Sequence, residues 1–249
     1  MFKDIASHWA KEAISRLARL NIMNGYTDGT FKPDVSVTRA ETAAMLNKYD
    51  TRRKQLVREC VPSVVRVMTD KSLGSGVVLD KQGYIVTNVH CVMDGIDPAK
   101  FVQVYLDALP KTPFNARVVL GYPQLDVAII KIEGVPEQYL IPAEIAESVE
   151  LLDDIFCIGN PLGYANTVSQ GVITFVDRQV AATWLQTDAA INPGNSGGGA
   201  FNIMGQLVGL PTWKITHIQP DSNVSAEGMG FLAPYYAIKE IYEKAKRMV

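Results

Sequence analysis

The sequence predicts a mainly β protein with a small α-helical unit ahead of the strands and a helix after them. Three observations predict it. Apolar, β-branched runs such as Tyr84-Ile-Val-Thr87 and Val127-Ala-Ile-Ile-Lys-Ile132 occupy the middle of the chain. The first fifty residues carry apolar groups at helical rather than alternating spacing. Beyond residue 234, Ala237 to Val249 reads as one amphipathic helix.

In chain order, Ala10 to Leu20 places Ile14, Leu17 and Ala18 on one helical face, and the turn-rich Asn24-Gly-Tyr-Thr-Asp-Gly-Thr30 follows. Thr38-Arg-Ala-Glu41 then opens a second helix, with Thr38 as N-cap and Glu41 at its third position, the spacing of a capping box. Asp4 and Trp9 are expected to pack inside this unit. Residues 48–59 contain neither glycine nor proline, so this stretch is expected to continue helically and hold the two parts in a fixed relation.

A chain of 249 residues, 47% hydrophobic, can bury a substantial core and more than one folding unit. Net charge of −2 offers no basic surface for nucleic acid, and no apolar run reaches the roughly 18 residues of a membrane span. The first ten residues carry charges and lack the apolar stretch of a signal peptide. The chain is therefore expected to be cytoplasmic, or at the cell envelope if a signal was removed. Three cysteines exclude a dense disulfide framework. Cys91 and Cys157 read as small buried apolar residues, and Cys60 as the most accessible thiol. No metal or other cofactor is expected.

The chemistry concentrates in Gln186-Thr-Asp-Ala-Ala-Ile-Asn-Pro-Gly-Asn-Ser-Gly-Gly-Gly-Ala-Phe201, where glycines let the backbone turn sharply around Ser196 and bring N–H groups to a reacting oxygen. A serine nucleophile needs a base of near-neutral pKa, and the chain has only His8, His90 and His217. His90 follows an apolar run that reads as a strand ending at the histidine. Asp126, at the head of Asp126-Val-Ala-Ile-Ile-Lys-Ile132, offers the carboxylate that fixes the tautomer of such a base. Each residue alone also fits a plain role: a hydrogen-bonded core histidine, a turn aspartate, a loop hydroxyl. Together, in the order His, Asp, Ser, they form the order of a trypsin-like double barrel rather than of subtilisins or α/β-hydrolases.

Six blocks resemble the HtrA-like trypsin-like serine proteases: Thr87-Asn-Val-His-Cys-Val92, Leu125-Asp-Val-Ala-Ile-Ile-Lys-Ile132, Ile158-Gly-Asn-Pro-Leu-Gly163, Thr167-Val-Ser-Gln-Gly-Val172, Asp188-Ala-Ala-Ile-Asn-Pro-Gly-Asn-Ser-Gly-Gly198 and Gly230-Phe-Leu-Ala-Pro234. The resemblance covers roughly 60–249. It implies two perpendicular six-stranded β-barrels with His90, Asp126 and Ser196 in the cleft between them, polypeptide substrates, and a homo-oligomer, with a trimer favoured. It also implies an oxyanion hole from Gly194, Asn195 and Ser196, with the Gly194 and Ser196 N–H groups as donors. Ala190, with Ile191 after it, corresponds to the floor of the primary specificity pocket, and Leu210, Pro211 and Thr212 to its wall and substrate-pairing edge. An uncharged floor implies cleavage after small or aliphatic residues. Pro211 departs from the family's usual wall sequence and removes a backbone donor there. Asn195 stands where digestive zymogens have the aspartate that captures a new amino terminus, so activation by cleavage is not expected. A regulatory PDZ domain, common in the family, is not expected to follow.

Phe2-Lys-Asp4, His8-Trp-Ala10, Gly25-Tyr-Thr-Asp-Gly-Thr-Phe-Lys-Pro33 and Thr38-Arg-Ala-Glu41 look like one S-layer homology module over residues 1–49. The expected layout is this module, a helical linker over 50–59 and the protease domain over 60–249. Such modules bind acidic secondary cell-wall polymers, which makes Arg39 the candidate contact; a solvated helix face is the plainer role for it. The competing reading of the whole chain is a non-catalytic surface protein that binds extended peptides.

Overall fold

The computed structural model describes residues 2–95, 97–160, 166–180, 182–214 and 228–248. The chain divides into two compact units, Met1–Arg58 and Glu59–Val249.

In the first unit, α1 (Lys11–Arg19) buries Ile14, and Ile5, Leu20 and Ile22 are buried around it. Helix α2 (Arg39–Cys60) begins with the reciprocal cap its sequence encodes. The Thr38 N–H and hydroxyl both donate to Glu41 Oε2 at 2.8 Å, and the Glu41 N–H donates to Thr38 Oγ1 at 3.2 Å. Asp4 does not pack; its carboxylate accepts the N–H groups of Phe31 at 2.8 Å and Lys32 at 2.7 Å and so fastens the loop. Trp9 does not pack either: it is 91% exposed, its ring 5.6 Å from that of His8.

The second unit is built on two closed six-stranded barrels. In the first, β1 (Val64–Thr69), β2 (Leu73–Val78), β3 (Tyr84–Thr87), β6 (Val102–Leu106), β7 (Leu109–Tyr122) and β8 (Val127–Ile132) close in the order β1-β2-β3-β8-β7-β6. A two-stranded ribbon of β4 (Met93–Asp94) and β5 (Asp97–Pro98) projects from it. In the second, β9 (Asp154–Gly159), β10 (Thr167–Val180), β11 (Ala182–Thr187), β12 (Gly199–Asn202), β13 (Leu207–Lys214) and β14 (Gly230–Pro234) close in the order β10-β11-β14-β13-β12-β9. Closure leaves no edge at the barrel wall and turns the β-branched side chains inward. Val65, Val67, Ile85, Val104 and Ile130 fill the first barrel, and Ile155, Ile173, Leu185, Val208 and Leu232 the second.

Helix α3 (Val89–Val92) is a single turn directly after β3, so His90 sits on a helical turn rather than at a strand end. The strand stops at Thr87 because its hydroxyl turns to the Ser75 carbonyl at 2.6 Å, and the Asn88 amide reaches Asp126 O at 2.7 Å. Helix α4 (Tyr235–Lys246) presents Ala237, Ile238, Ile241 and Ala245 on one face. It lies against β7 and β8 of the first barrel and β13 and β14 of the second. Burying its two isoleucines stabilises this packing by roughly 3–6 kcal/mol. The Tyr242 hydroxyl adds a bond to Asp80 Oδ2 at 2.6 Å.

All three cysteines are buried thiols; Cys60 is the least buried of them, at 6%, yet its sulfur turns in toward Gly205 O at 3.8 Å rather than to the surface. Among the described residues, no helix is long and apolar enough to cross a membrane.

Candidate active site

Asp126 is set by a short 3-10 turn, Pro123–Leu125, and takes the left-handed conformation (φ +51°) immediately before β8. Aspartate tolerates that conformation better than most residues, and here it swings the carboxylate back over α3. Oδ1 accepts the His90 backbone N–H at 3.0 Å and Oδ2 lies 2.5 Å from His90 Nδ1. A carboxylate only accepts, so the proton sits on Nδ1 and Nε2 is left as the basic nitrogen. The Asp126 side chain is 19% exposed and that of His90 48%, a held but accessible base. Burial of the imidazole opposes its protonation, but the hydrogen bond and charge of Asp126, with the Cys91 sulfur close by, outweigh it. The His90 pKa is raised above its ordinary 6.5.

Ser196 follows a tight turn. Asn192 O accepts the Asn195 N–H at 3.0 Å, with Pro193 and Gly194 (φ +96°) between, the arrangement of a type II turn. Gly197 (φ +77°) then lets the chain press against the histidine segment. A Cβ there would stand 2.3 Å from Ser75 O and 2.4 Å from Thr87 Oγ1, so only glycine fits. Cys91 Sγ approaches Ser196 O at 3.7 Å, which puts the residue after His90 against the serine. The Ser196 hydroxyl donates to Thr212 O at 3.5 Å, and no hydrogen bond joins it to His90 among the described residues.

Of the three residues expected around the oxyanion, Asn195 drops out, because its N–H is spent on Asn192. The N–H groups of Gly194 and Ser196 have no acceptor among the described residues. Asn195 is buried and uncharged. Ala190 is exposed and its carbonyl accepts the Ser169 hydroxyl at 2.8 Å. Ile191, by contrast, belongs to the core of the second barrel.

The three residues expected to form the pocket wall, Leu210, Pro211 and Thr212, are all buried in β13. Leu210 is fully buried opposite Ala233, and the Pro211 carbonyl accepts the Gly197 N–H at 3.2 Å, so neither offers a group to a ligand. Thr212 is buried as well, and past a register shift between Pro211 and Trp213 only Trp213 and Lys214 of the strand reach the surface. Trp213 stacks on Phe231 at 4.0 Å, and Lys214 Nζ reaches Asn192 Oδ1 at 3.5 Å. Arg39 is exposed in the first turn of α2. His217 and residues 161–163 lie outside the described residues.

Sequence reasoning missed Ser75, Asn88 and Asn160. Asn88 Nδ2 donates to Asp126 O at 2.7 Å and to Thr212 Oγ1 at 3.1 Å, tying the two barrels together behind the site. The runs Leu73-Gly-Ser-Gly76 and Ile158-Gly-Asn160 carried the signal, since buried polar residues between glycines need nearby partners. Gly74 also explains why Cys91 stays a thiol: the position facing its sulfur has no side chain to bond.

A trypsin-like peptidase domain model matches residues 74–210, and an S-layer homology domain model residues 2–43. Serine endoprotease DegS of Salmonella typhimurium is 31% identical over 208 residues, 77% of this chain and 56% of that protein. Protease Do-like 1, chloroplastic, of Arabidopsis thaliana is 40% identical over 185 residues, 70% of this chain and 39% of that one. The chain therefore spans about half the length, or less, of these relatives. Among solved structures, the serine endoprotease from Yersinia pestis aligns with TM-score 0.65 and 32% identity, covering 78% of this chain and 66% of its own. The HtrA-type protease AlgW with tripeptide aligns with TM-score 0.66 and 29% identity, covering 77% of this chain and 62% of its own. Two closed barrels, a histidine and aspartate from the first and a glycine-flanked serine from the second, agree with these matches: the chain belongs to the HtrA-like trypsin-like serine proteases and carries an S-layer homology module at residues 2–43.

Proposed function

We propose that the protein is a serine endopeptidase that hydrolyses peptide bonds of polypeptide substrates through an acyl-enzyme. Ser196 attacks the carbonyl carbon, His90 Nε2 takes the hydroxyl proton and returns it to the leaving amine, and Asp126 holds the imidazole and offsets its charge. The N–H groups of Gly194 and Ser196 receive the oxyanion. The observation that carries the reading is the 2.5 Å contact of His90 Nδ1 with a carboxylate, beside a serine whose neighbouring amides are unused.

The Ser196 hydroxyl must leave Thr212 before it can give its proton to His90. That supports control by a small rearrangement of the loop or by assembly rather than by a cut amino terminus, for which Asn195 offers no charge. An extended substrate would pair along the accessible end of β13, at Trp213 and Lys214, with its side chain before the scissile bond directed toward uncharged Ala190. Cleavage of a peptide library after valine, alanine or leucine is the expected result; preference for arginine would overturn the specificity.

The module at 2–43 supports attachment to an acidic cell-wall polymer with Arg39 as one contact. Sedimentation with purified cell wall, lost in Arg39→Ala, tests it. A trimer would bring three modules together, and light scattering reads that directly. A second reading, an inactive surface protein that binds peptides, draws on the Ser196 hydroxyl being turned away from His90. Catalytic turnover of any library peptide, abolished in Ser196→Ala, removes it.

A further inference from the structure

We propose that Ser75, on β2 of the first barrel, is the positioning residue of the oxyanion loop of the second; the inference rests on the hydrolytic reading above. The two amides without acceptors belong to Gly194 and Ser196, and Ser75 holds the carbonyl of each. Its hydroxyl donates to Gly194 O at 2.8 Å and its backbone N–H donates to Ser196 O at 2.9 Å. Alternate residues of the loop are thus gripped by their carbonyls from one side, while their N–H groups, which belong to the preceding peptides, have no acceptor among the described residues.

The hydroxyl's direction is itself imposed. Ser75 is fully buried, so water does not compete. Its oxygen accepts the Asn160 backbone N–H at 2.8 Å and Asn160 Nδ2 at 3.3 Å, and Nδ2 is anchored on Val65 O at 3.3 Å. With donors filling the lone pairs, the hydroxyl proton has one acceptor, Gly194 O. The Ser75 carbonyl in turn accepts the Thr87 hydroxyl at 2.6 Å, three residues before His90. One side chain and one peptide therefore join the base's segment, β9 and the nucleophile loop.

This matters because the turn at Asn192–Asn195 has two ways to close. The same bond from Asn195 N–H to Asn192 O is compatible with a type I turn, in which the Pro193–Gly194 peptide is rotated by roughly half a turn and the Gly194 N–H faces the other way. Gly194 has no side chain to resist that rotation. Its carbonyl belongs to the next peptide, Gly194–Asn195; with that peptide fixed at one end by Ser75 Oγ and at the other by the Asn195 N–H to Asn192 O bond, the Gly194 N–H is set by the single remaining torsion, φ +96°.

The test is the kinetics of Ser75→Ala and of Ser75→Cys, which keeps the shape of the side chain but donates weakly, alongside wild type. Both variants should keep the wild-type melting temperature within a few degrees. Their kcat should fall roughly tenfold to a hundredfold, less than the loss of an oxyanion donor itself, with KM and the acid limb of the pH profile unchanged. Affinity for a peptidyl trifluoromethyl ketone, which places an oxyanion in the hole, should fall in parallel with kcat. Unchanged kcat in both variants overturns the proposal, as does a loss confined to KM or one that only follows unfolding. A wild type that cleaves no peptide and takes no fluorophosphonate removes the hydrolytic reading and this inference with it; an active wild type with unaffected variants removes this inference alone.

Discussion

The two barrels reach the site by different means. In the first, side chains are held by side chains and short turns: Asp126 in a left-handed conformation grips His90 through both oxygens. In the second, the working groups are backbone amides, and what holds them is a turn with two glycines at positive φ. On the proposed mechanism the first barrel controls the proton, through His90 held by Asp126, and the second controls geometry, through Gly194 and Gly197. Substitutions around His90 and Asp126 should change the chemistry and its pH dependence; apart from the nucleophile Ser196 itself, substitutions in the loop of the second barrel should change how well the oxyanion is received. Ser75 is where the two meet, since it is a first-barrel residue acting on second-barrel backbone.

The largest expected effect is that of Ser196→Ala, a loss of about five to six orders of magnitude in kcat, measured with a peptide cleaved by wild type. Asp126→Asn comes next, at about ten-thousandfold. It also gives the clearest pH signature. The base works only when neutral, so activity rises with pH through the His90 pKa, which lies above 6.5 in the wild type. Removing the carboxylate withdraws what raises that pKa, so the acid limb of kcat/KM should move to lower pH. If it moves up or stays, the first barrel does not control the proton.

Gly197→Ala probes the other side. Its Cβ would collide with Ser75 O, displacing the loop, and kcat should fall about a hundredfold while the acid limb keeps its midpoint. A shift in that midpoint would erase the distinction between the barrels. The smallest effect is expected from Tyr242→Phe on α4. It loses the bond to Asp80, about 1–2 kcal/mol, and lowers the melting temperature by a few degrees with no change in kcat.

How far the sequence could be read follows the same division. Strand-forming runs, the capping box of Thr38 and Glu41, and the histidine, aspartate and serine stand out because local pattern or scarcity marks them. The helical turn under His90 did not, because it is set by Asn88 and Asp126, residues 38 positions apart. Ser75, Asn160 and Gly194 are likewise joined only by closure of the barrels, and no spacing along the chain encodes their bonds. The register shift after Pro211 also depends on pairing with β14, a contact that no local pattern encodes. Trp9 was read as buried from its type, whereas its surroundings leave it in water.

The central claim is that Ser196 is a nucleophile activated across the cleft between the barrels. Reaction with a fluorophosphonate, followed by intact mass and peptide mapping, tests it most directly. One adduct per chain is expected on Ser196, with labelling slowed at least a thousandfold in His90→Ala and absent in Ser196→Ala. An unlabelled wild type, or an adduct that persists in Ser196→Ala, would contradict it.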